Sequence, residues 1–428
     1  MNYQKKVITG GFIGNLVEAY DLSICYFLSA ELSKALLGDS KGKPTVIFSL
    51  IFIAYLAKPL GSLILGILSD RYGRKNVLVS SLIIMGSATA LMGLIPNYHS
   101  IGLWAAGFFL LLRIIQSMAL GSEFLNSSSL LVESGSEKQR GFRGCWSSVG
   151  VKAGYLMACL LVESIHYYSP ESPSLWRLPF FLALAFTSLG YVIRIKMPES
   201  LAYIRYYSER SKPSTMQIYK QALHFTKTHP FLIHFAFFTS FLSVATGYFF
   251  YLYIPIHAME YNALSHRFVM FSTICSLLLV ILLIPFFGWL SDKTNRLFLL
   301  ALASSGLLVL SYPFMQAINY GNMAYFLSMQ LLISIPCACY YSVATVSLTD
   351  LFPMPIRCTT LSLVYSVSAS LASGIPPLLS DFLVRTTHWV SSPALIICTL
   401  ASVVLINLAL LIKKQVSLAG QPLAPEGS

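Results

Sequence analysis

Apolar residues in this chain run in stretches of about twenty or more, broken by short polar segments. A membrane helix needs about 20 mostly apolar residues, with some latitude for tilt. Twelve stretches meet that length: 8–36, 44–68, 76–95, 101–132, 142–164, 176–196, 230–257, 264–290, 297–316, 323–349, 358–383 and 388–412. The pattern predicts an all-α membrane protein, because membrane strands are short and alternate apolar with polar residues. The first run follows Lys5 and Lys6 but does not read as a signal peptide: it is too long, contains Glu18 and Asp21, and no small-residue cleavage site follows. The longest polar stretch, 197–229, contains Pro198 and Pro213 and ends at Pro230. It divides the chain into residues 1–196, a cytoplasmic central loop 197–229, residues 230–412 and a cytoplasmic tail 413–428. The tail's end, Pro425-Glu426-Gly427-Ser428, reads as a disordered or appended segment.

Composition agrees with that reading. Of 428 residues, 56% are hydrophobic and 11% charged, with mean hydropathy +0.68. A soluble globular protein carries about 25% charged residues, so this chain lacks the charge to cover a water-exposed surface. Disorder is excluded for the opposite reason, since disordered chains are poor in apolar residues. The net charge of +12 has a location. With the N-terminus in the cytoplasm, 20 of the 29 Lys and Arg residues fall on the inner side, six on the outer side, and Lys58, Arg113 and Lys152 inside helices. This bias sets both termini in the cytoplasm and explains the basic character without nucleic acid. The eight cysteines read as free packing thiols. None of the eight histidines forms a two-residue metal spacing, so no metal is expected. No nucleophile elbow, Walker motif or dinucleotide glycine loop appears. The chain therefore reads as a non-enzyme without cofactor, driven by an ion gradient.

Two turns repeat. Gly66-Ile67-Leu68-Ser69-Asp70-Arg71-Tyr72-Gly73-Arg74-Lys75 follows the second span, and Gly288-Trp289-Leu290-Ser291-Asp292-Lys293-Thr294-Asn295-Arg296 follows the eighth. Their offset is 222 residues, and each lies between the second and third span of its half. Such duplication is typical of secondary transporters built from repeated bundles. The glycines permit close helix contact. Each Asp is placed to accept hydrogen bonds from a neighbouring helix end or to pair with a base. Gly73 and Asn295 suit a positive-φ turn, and Arg71, Arg74 and Arg296 suit an anionic leaflet. The alternative is an ordinary basic turn, which matched copies in both halves make less apt.

With these motifs in view, the whole chain resembles the major facilitator superfamily: twelve spans, a long central loop, and the loop motif complete in the first half and degenerate in the second. A finer resemblance is to its metabolite:proton symporter branch, which includes proline/betaine, 2-oxoglutarate, citrate and shikimate permeases. It rests on Gly14-Asn15-x-x-Glu18-x-Tyr20-Asp21, Lys58-Pro59-Leu60-Gly61, Arg113-x-x-Gln116-Ser117, Gly121-Ser122-Glu123, Glu133, Arg140-Gly141, Trp176-Arg177-x-Pro179-Phe180 and Pro198-Glu199-Ser200. The branch usually has Arg at the place of Lys58, Gly at Ser117 and Gly-Gly-Glu at 121–123, and Lys152 is not assigned to the branch as a whole. The resemblance implies two six-helix bundles, a multi-pass location in a bacterial inner membrane, and alternating access around a central site.

Charges inside a span mark a pathway, a relay or a pair. Glu18, Asp21, Lys58, Arg113 and Lys152 all fall near mid-depth, roughly 15–20 Å from a helix end at about 1.5 Å per residue. Each sits on a polar stripe: Asn15, Glu18, Asp21 and Cys25; Tyr55, Lys58 and Ser62; Arg113, Gln116 and Glu123; Ser148, Lys152 and Tyr155. Three cations face two carboxylates, so an anionic substrate group would balance the set. The alternative is structural ion pairing that locks the bundle. Burial and a nearby cation push a carboxylate's proton affinity in opposite directions, which suits a coupling switch. Arg113, Lys152, Lys58 and Gln116 with Tyr55 are the candidates for substrate, and Asp21, Glu18 and Glu123 for the proton. Glu133 reads as a gating or capping group. The second half offers Tyr248, Tyr340 and Tyr365 for hydrogen bonding or stacking. Tyr251 and Tyr253 read as interface aromatics, and Gly374-Ile375-Pro376-Pro377 as a break in the eleventh span.

The reading favoured by the sequence is a monomeric, proton-coupled importer of a small carboxylate or zwitterion: an organic acid, amino acid or betaine. The competing readings are an exporter or antiporter of the same fold, including one for a larger polycarboxylate such as a citrate-type siderophore, and a transporter-like sensor or receptor.

Overall fold

The computed structural model describes residues 3–38, 44–134, 137–168, 175–208, 211–262 and 264–419. Lys41, Lys43 and the tail end Pro425–Ser428 lie outside the described residues. The described chain is helical, with no strand. Twelve helices form the frame. They are α1 (Tyr3–Phe27, continued by Ser29–Leu37), α2 (Pro44–Tyr55, continued by Lys58–Tyr72), α3 (Arg74–Gly93) and α4 (Trp104–Ala119, continued by Glu123–Glu133). Next come α5 (Arg140–Tyr168), α6 (Leu178–Ile195), α7 (Pro230–Tyr248, a π-helical turn Phe249–Tyr253, and Ile254–Asn262) and α8 (His266–Ser291). The last four are α9 (Arg296–Asn319), α10 (Met323–Leu351), α11 (Arg357–Thr387) and α12 (Ala394–Ala419). Eleven are long and apolar enough to cross a membrane. The other, α1, is diluted by Asn15, Glu18 and Asp21, all buried. Exposed apolar side chains such as Leu60, Leu282, Phe298 and Val309 form the surface suited to lipid.

Within the first half, α1 packs on α5 and α6, and α3 on α4 and α6; within the second, α10 packs on α8 and α9, and α12 on α7 and α9. The halves meet along α5–α8 and α2–α11. Glycine sets the closest approaches. A Cβ at Gly61 would collide with the Met118 carbonyl, and one at Gly121 with the Ser62 amide. The interruption of α4 between Ala119 and Glu123 and that of α2 between Tyr55 and Lys58 fall beside this contact. On α5, a Cβ at Gly150 or Gly154 would strike α1 backbone. Lys152, two residues from each, therefore points away from α1 and toward the second half.

The repeated motif explains how one face is closed. Asp70 accepts from the Cys358 and Thr359 amides at 3.2 and 2.8 Å and from the Thr359 hydroxyl at 2.7 Å, so it caps the start of α11. Asp292 accepts from the Gly141 and Phe142 amides at 2.7 and 2.9 Å, and so caps the start of α5. Each half thus donates an Asp to a helix N-terminus of the other, where the unpaired amides and the helix dipole favour an anion. A Cβ at Gly66 would lie 2.9 Å from the Thr359 Cα, and one at Gly288 2.7 Å from the Cys145 Sγ. Both motif copies lie on the face that carries the termini, since all connections between even and following odd helices fall there.

Several expectations need correction. Arg74 does not face the leaflet: it is buried, pairs with Glu133 at 3.3 Å and Asp70 at 3.8 Å, and lies over the Tyr203 ring. Glu133 also pairs with Arg357 at 2.8 Å and accepts from the Ser200 hydroxyl at 2.6 Å, tying the halves together. Arg296 pairs with Asp292 at 3.1 Å and with Asp350. Gly73 has a φ of +104°, but Asn295 has a φ of −70°. Its side chain instead caps α9, accepting from the Leu297 and Phe298 amides. Residues 197–229 are not a plain loop: they hold helices Leu201–Tyr207 and Thr215–Thr228, the second opened by a Ser214/Gln217 capping box. Burial pushes the Tyr203 phenol up to about 12, and it donates to the Arg71 carbonyl at 2.7 Å. The pair Pro376-Pro377 does not interrupt α11. Gly374 there makes room for the Phe52 ring.

The caps carry a consequence. Asp70→Ala strips two backbone donors and a hydroxyl of a charged acceptor, each such bond being worth roughly 1.5–3 kcal/mol. Labelling of the buried Cys358 and Cys145 by a bulky maleimide is expected to accelerate about ten-fold or more in Asp70→Ala and in Asp292→Ala, read peptide by peptide by mass spectrometry. Unchanged rates would show that these carboxylates do not hold that face shut.

Candidate functional site

Between the halves lies a cavity with about 60 Å³ of space open to water. Three charged side chains reach it: Glu18 of α1, Lys58 of α2 and Lys152 of α5. Each is at least 94% buried. Neither lysine forms an ion pair with a described carboxylate. Lys152 Nζ instead sits over the Tyr341 ring at 3.7 Å from its centre, with Tyr251 at 5.0 Å and Tyr155 at 5.1 Å. Lys58 Nζ lies between the Tyr365 and Tyr55 rings, at 5.7 and 5.9 Å. Glu18 Oε2 is buried without a hydrogen-bond partner. A ring face attracts a cation but does not replace a counter-ion, so the lysines remain underpaired.

Local structure holds these groups. Ser148 donates to the Tyr341 carbonyl at 2.8 Å, and the Tyr341 hydroxyl donates to Thr246 at 3.1 Å. A Cβ at Gly247 would stand 3.2 Å from Lys152 Nζ, so glycine keeps room for the ammonium. On the other side, Ser62 and Ser366 hydroxyls meet at 2.6 Å and Ser370 donates to the Tyr55 carbonyl at 2.5 Å, fastening α2 to α11 beside Lys58. Tyr365 stacks on Phe124 at 5.2 Å, and Tyr248 donates to the Tyr55 hydroxyl at 3.1 Å. The π-helical turn begins just after Tyr248 and carries Tyr251; such turns recur at functional sites.

The structure divides the candidates. Lys58, Lys152, Glu18, Tyr248 and Tyr365 line the cavity. Arg113, Gln116, Asp21, Glu123, Tyr55 and Tyr340 are not among its lining residues. Arg113 is fully buried behind it, donating to the Asp21 and Leu22 carbonyls at 3.5 and 3.4 Å and to the Gln116 side chain. Gln116 donates to the Thr89 hydroxyl at 2.6 Å, and Thr89 donates to Asp21 Oδ2 at 2.9 Å. These four form one network inside the first half. Glu123 pairs with Arg194 and accepts from Ser81 at 2.5 Å. Arg194, at the inner end of the sixth predicted span, is fully buried and also donates to the Leu78 carbonyl at 2.8 Å. Tyr340 donates to the Thr239 carbonyl at 3.0 Å within the second half. Its neighbour Tyr341 takes the cavity position. Tyr251 is buried against Lys152 rather than set at an interface. Tyr253 meets His257 at 3.2 Å. Tyr341 was missed because neighbours on a helix differ by 100° and the sequence marks neither face of α10 as polar.

A largely apolar cavity that carries three charged side chains, at the meeting of two similar helical halves, is the architecture of a membrane transporter of small solutes. The chain belongs to the Major Facilitator Superfamily, whose profile matches residues 12–325 and 236–426. It is similar to an ectoine/proline transporter of Corynebacterium glutamicum, 28% identical over 410 residues, covering 92% of this chain and 81% of that one. It is also similar to the proline/betaine transporter of Escherichia coli, 27% identical over 420 residues, covering 94% and 82%. Among solved structures, a proton:xylose symporter shares the fold with a TM-score of 0.74 at 17% identity, covering 94% of each chain. The human organic anion transporter does so with a TM-score of 0.66 at 15% identity, covering 96% and 100%.

The division of residues has a measurable outcome. Arg113→Ala should lower the melting temperature, since it orphans two buried carbonyls and the Gln116 side chain, at about 1–3 kcal/mol for a buried unsatisfied group. Lys152→Met should leave melting unchanged or raise it, because it removes a buried charge without a counter-ion. The reverse order in a thermal-denaturation assay would contradict the placement of these two groups.

Proposed function

We propose that the protein is a proton-coupled importer of a small carboxylate-bearing solute, working by alternating access with both termini in the cytoplasm. The observation that carries this reading is the convergence of Lys58, Lys152 and Glu18 on one cavity, with neither lysine within ion-pair distance of a described carboxylate and one Glu18 oxygen without a hydrogen-bond partner. Two buried cations call for an anion, and a carboxylate set between the ammonium groups satisfies both. Glu18 has a free oxygen at the same cavity and serves as the proton acceptor. Asp21 and Glu123 do not line the cavity, and are engaged by Thr89 and by Arg194 and Ser81 within the first half. For a zwitterion, the cationic end meets Glu18 and the faces of the cavity's tyrosines. The relatives' names agree with this chemistry, since proline, betaine and ectoine each pair a carboxylate with a cationic or amidinium nitrogen. The six-plus-six division at 197–229 supplies the rocking halves, and the Asp70 and Asp292 caps form the inner gate.

The substrate class is tested by thermal stability of the purified protein against carboxylates, amino acids and betaines, because a ligand of the folded state raises its apparent stability. A solute lacking a carboxylate that outperforms all three groups would refute the class. For the solute identified, Lys58→Ala and Lys152→Ala should each weaken affinity about ten-fold or more, the equivalent of one charged hydrogen bond.

Coupling is tested in proteoliposomes. Glu18→Gln should abolish accumulation driven by a pH gradient while substrate exchange continues at a reduced rate. Asp21→Asn should instead act through stability. Wild-type accumulation in Glu18→Gln would move the proton site elsewhere.

A further inference from the structure

Opposite the face that carries the termini, Glu163 and His166 end α5 and His266 begins α8. One ligand atom from each lies within 4.8 Å of those of the other two. His266 Nε2 is 2.7 Å from Glu163 Oε1, and His166 Nδ1 is 4.0 Å from the same oxygen. The outer nitrogens are engaged elsewhere. His166 Nε2 meets Glu31 Oε1 at 2.8 Å, and His266 Nδ1 meets Met259 Sδ at 3.2 Å. With the protons on those outer nitrogens, both inner lone pairs converge on the Glu163 carboxylate.

We propose that Glu163, His166 and His266 form a zinc site that, when filled, staples α5 of the first half to α8 of the second. Two imidazoles and one carboxylate with a fourth position for water is a zinc ligand set; hard cations such as magnesium prefer oxygen alone. The Glu31–His166 contact is the second-layer carboxylate that orients a ligating histidine and strengthens its donation. Donor separations in a tetrahedral zinc site are about 3.3 Å, given Zn–N and Zn–O lengths near 2.0–2.1 Å. The present 2.7 and 4.0 Å straddle that value, so small side-chain rotations reach it. The side chains are 31%, 22% and 45% exposed for His166, Glu163 and His266, which leaves an entry path from solvent. Because the ligands belong to both halves, the ion favours the arrangement in which this face is closed. At a hundred times its dissociation constant it shifts that balance about a hundred-fold. Neither histidine takes part in the cavity, so this inference stands apart from the proposed substrate.

The test uses the full-length purified protein. Cobalt(II), as a spectroscopic stand-in, should give the visible absorption of a tetrahedral site with one equivalent bound, displaced by zinc. His266→Ala and His166→Ala should each weaken zinc binding at least ten-fold. Zinc should also slow amide hydrogen exchange at 163–168 and 266–270 in the unaltered protein and in neither variant. Absence of saturable binding, binding unaffected by both substitutions, or unaltered exchange at those segments on zinc addition would each overturn the proposal.

Discussion

A charged side chain inside a bilayer has no water to turn to, and the rest of this structure follows from how each buried charge is answered. Most are answered within one half. Asp21 has Thr89 and sits beside Arg113; Arg113 has Gln116 and two α1 carbonyls; Glu123 has Arg194 and Ser81. These contacts tie α1, α3, α4 and α6 into a unit, in which Asp21 Oδ1 and Arg113 Nε, like Glu18 Oε2, have no hydrogen-bond partner. Lys58 and Lys152 meet ring faces and no described carboxylate within ion-pair distance, and one Glu18 oxygen has no hydrogen-bond partner. The same rule thus separates framework from site. Charges paired within the first half fix the bundle, and on the proposed reading the three that line the cavity bind substrate and proton.

The second constraint is that the halves must hold together without being welded. The reciprocal caps meet it. Asp70 and Asp292 engage amides that any helix N-terminus leaves unpaired, so opening the face exposes those amides to water rather than orphaning them in lipid. The Glu133–Arg357 and Arg140–Asp350 pairs, at 2.8 and 3.0 Å, lie at the same level and cross the same boundary. Partly exposed pairs such as Arg140–Asp350 contribute little net stability. On the proposed alternating-access reading, that strength suits a contact that forms and breaks in each cycle. The glycines at 66 and 288 let the helices come close enough for the caps to form.

Much of this was legible in the sequence, and the failures are instructive. Span number, the six-plus-six division and the repeated turn follow from apolar length and motif spacing, which depend on local sequence. Lys58, Lys152 and Glu18 stood out because a charge in a span is rare, whatever its neighbours. What spacing does not reveal is whether a partner waits on another helix. Arg113 and Glu123 had the same signature as Lys152, yet Gln116 and Arg194 claim them. Arg194 escaped notice because it sits one turn from a basic loop, where an arginine needs no explanation. Tyr340 and Tyr341 are adjacent and alike, and only the packing of α10 against α5 and α7 chooses between them. Asn295 kept its place in the motif but changed its work, from a turn with positive φ to a helix cap. Side-chain identity there fits both geometries.

On the proposed reading, with both lysines protonated, the cavity's charge count links substrate to proton. With Glu18 ionised, the three lining groups sum to one positive charge; with Glu18 protonated, to two. A substrate carboxylate is therefore held more strongly by the protonated site, and a bound carboxylate in turn favours the proton. By linkage the two effects are equal in size. The framework pairs leave this sum untouched, since Glu123 with Arg194, and Asp21 beside Arg113, contribute compensating charges in both states. On the proposed reading, coupling needs only that the cavity open to one face at a time. Release of the proton on the less acidic side then loosens the carboxylate there, so the proton gradient sets the direction of net movement.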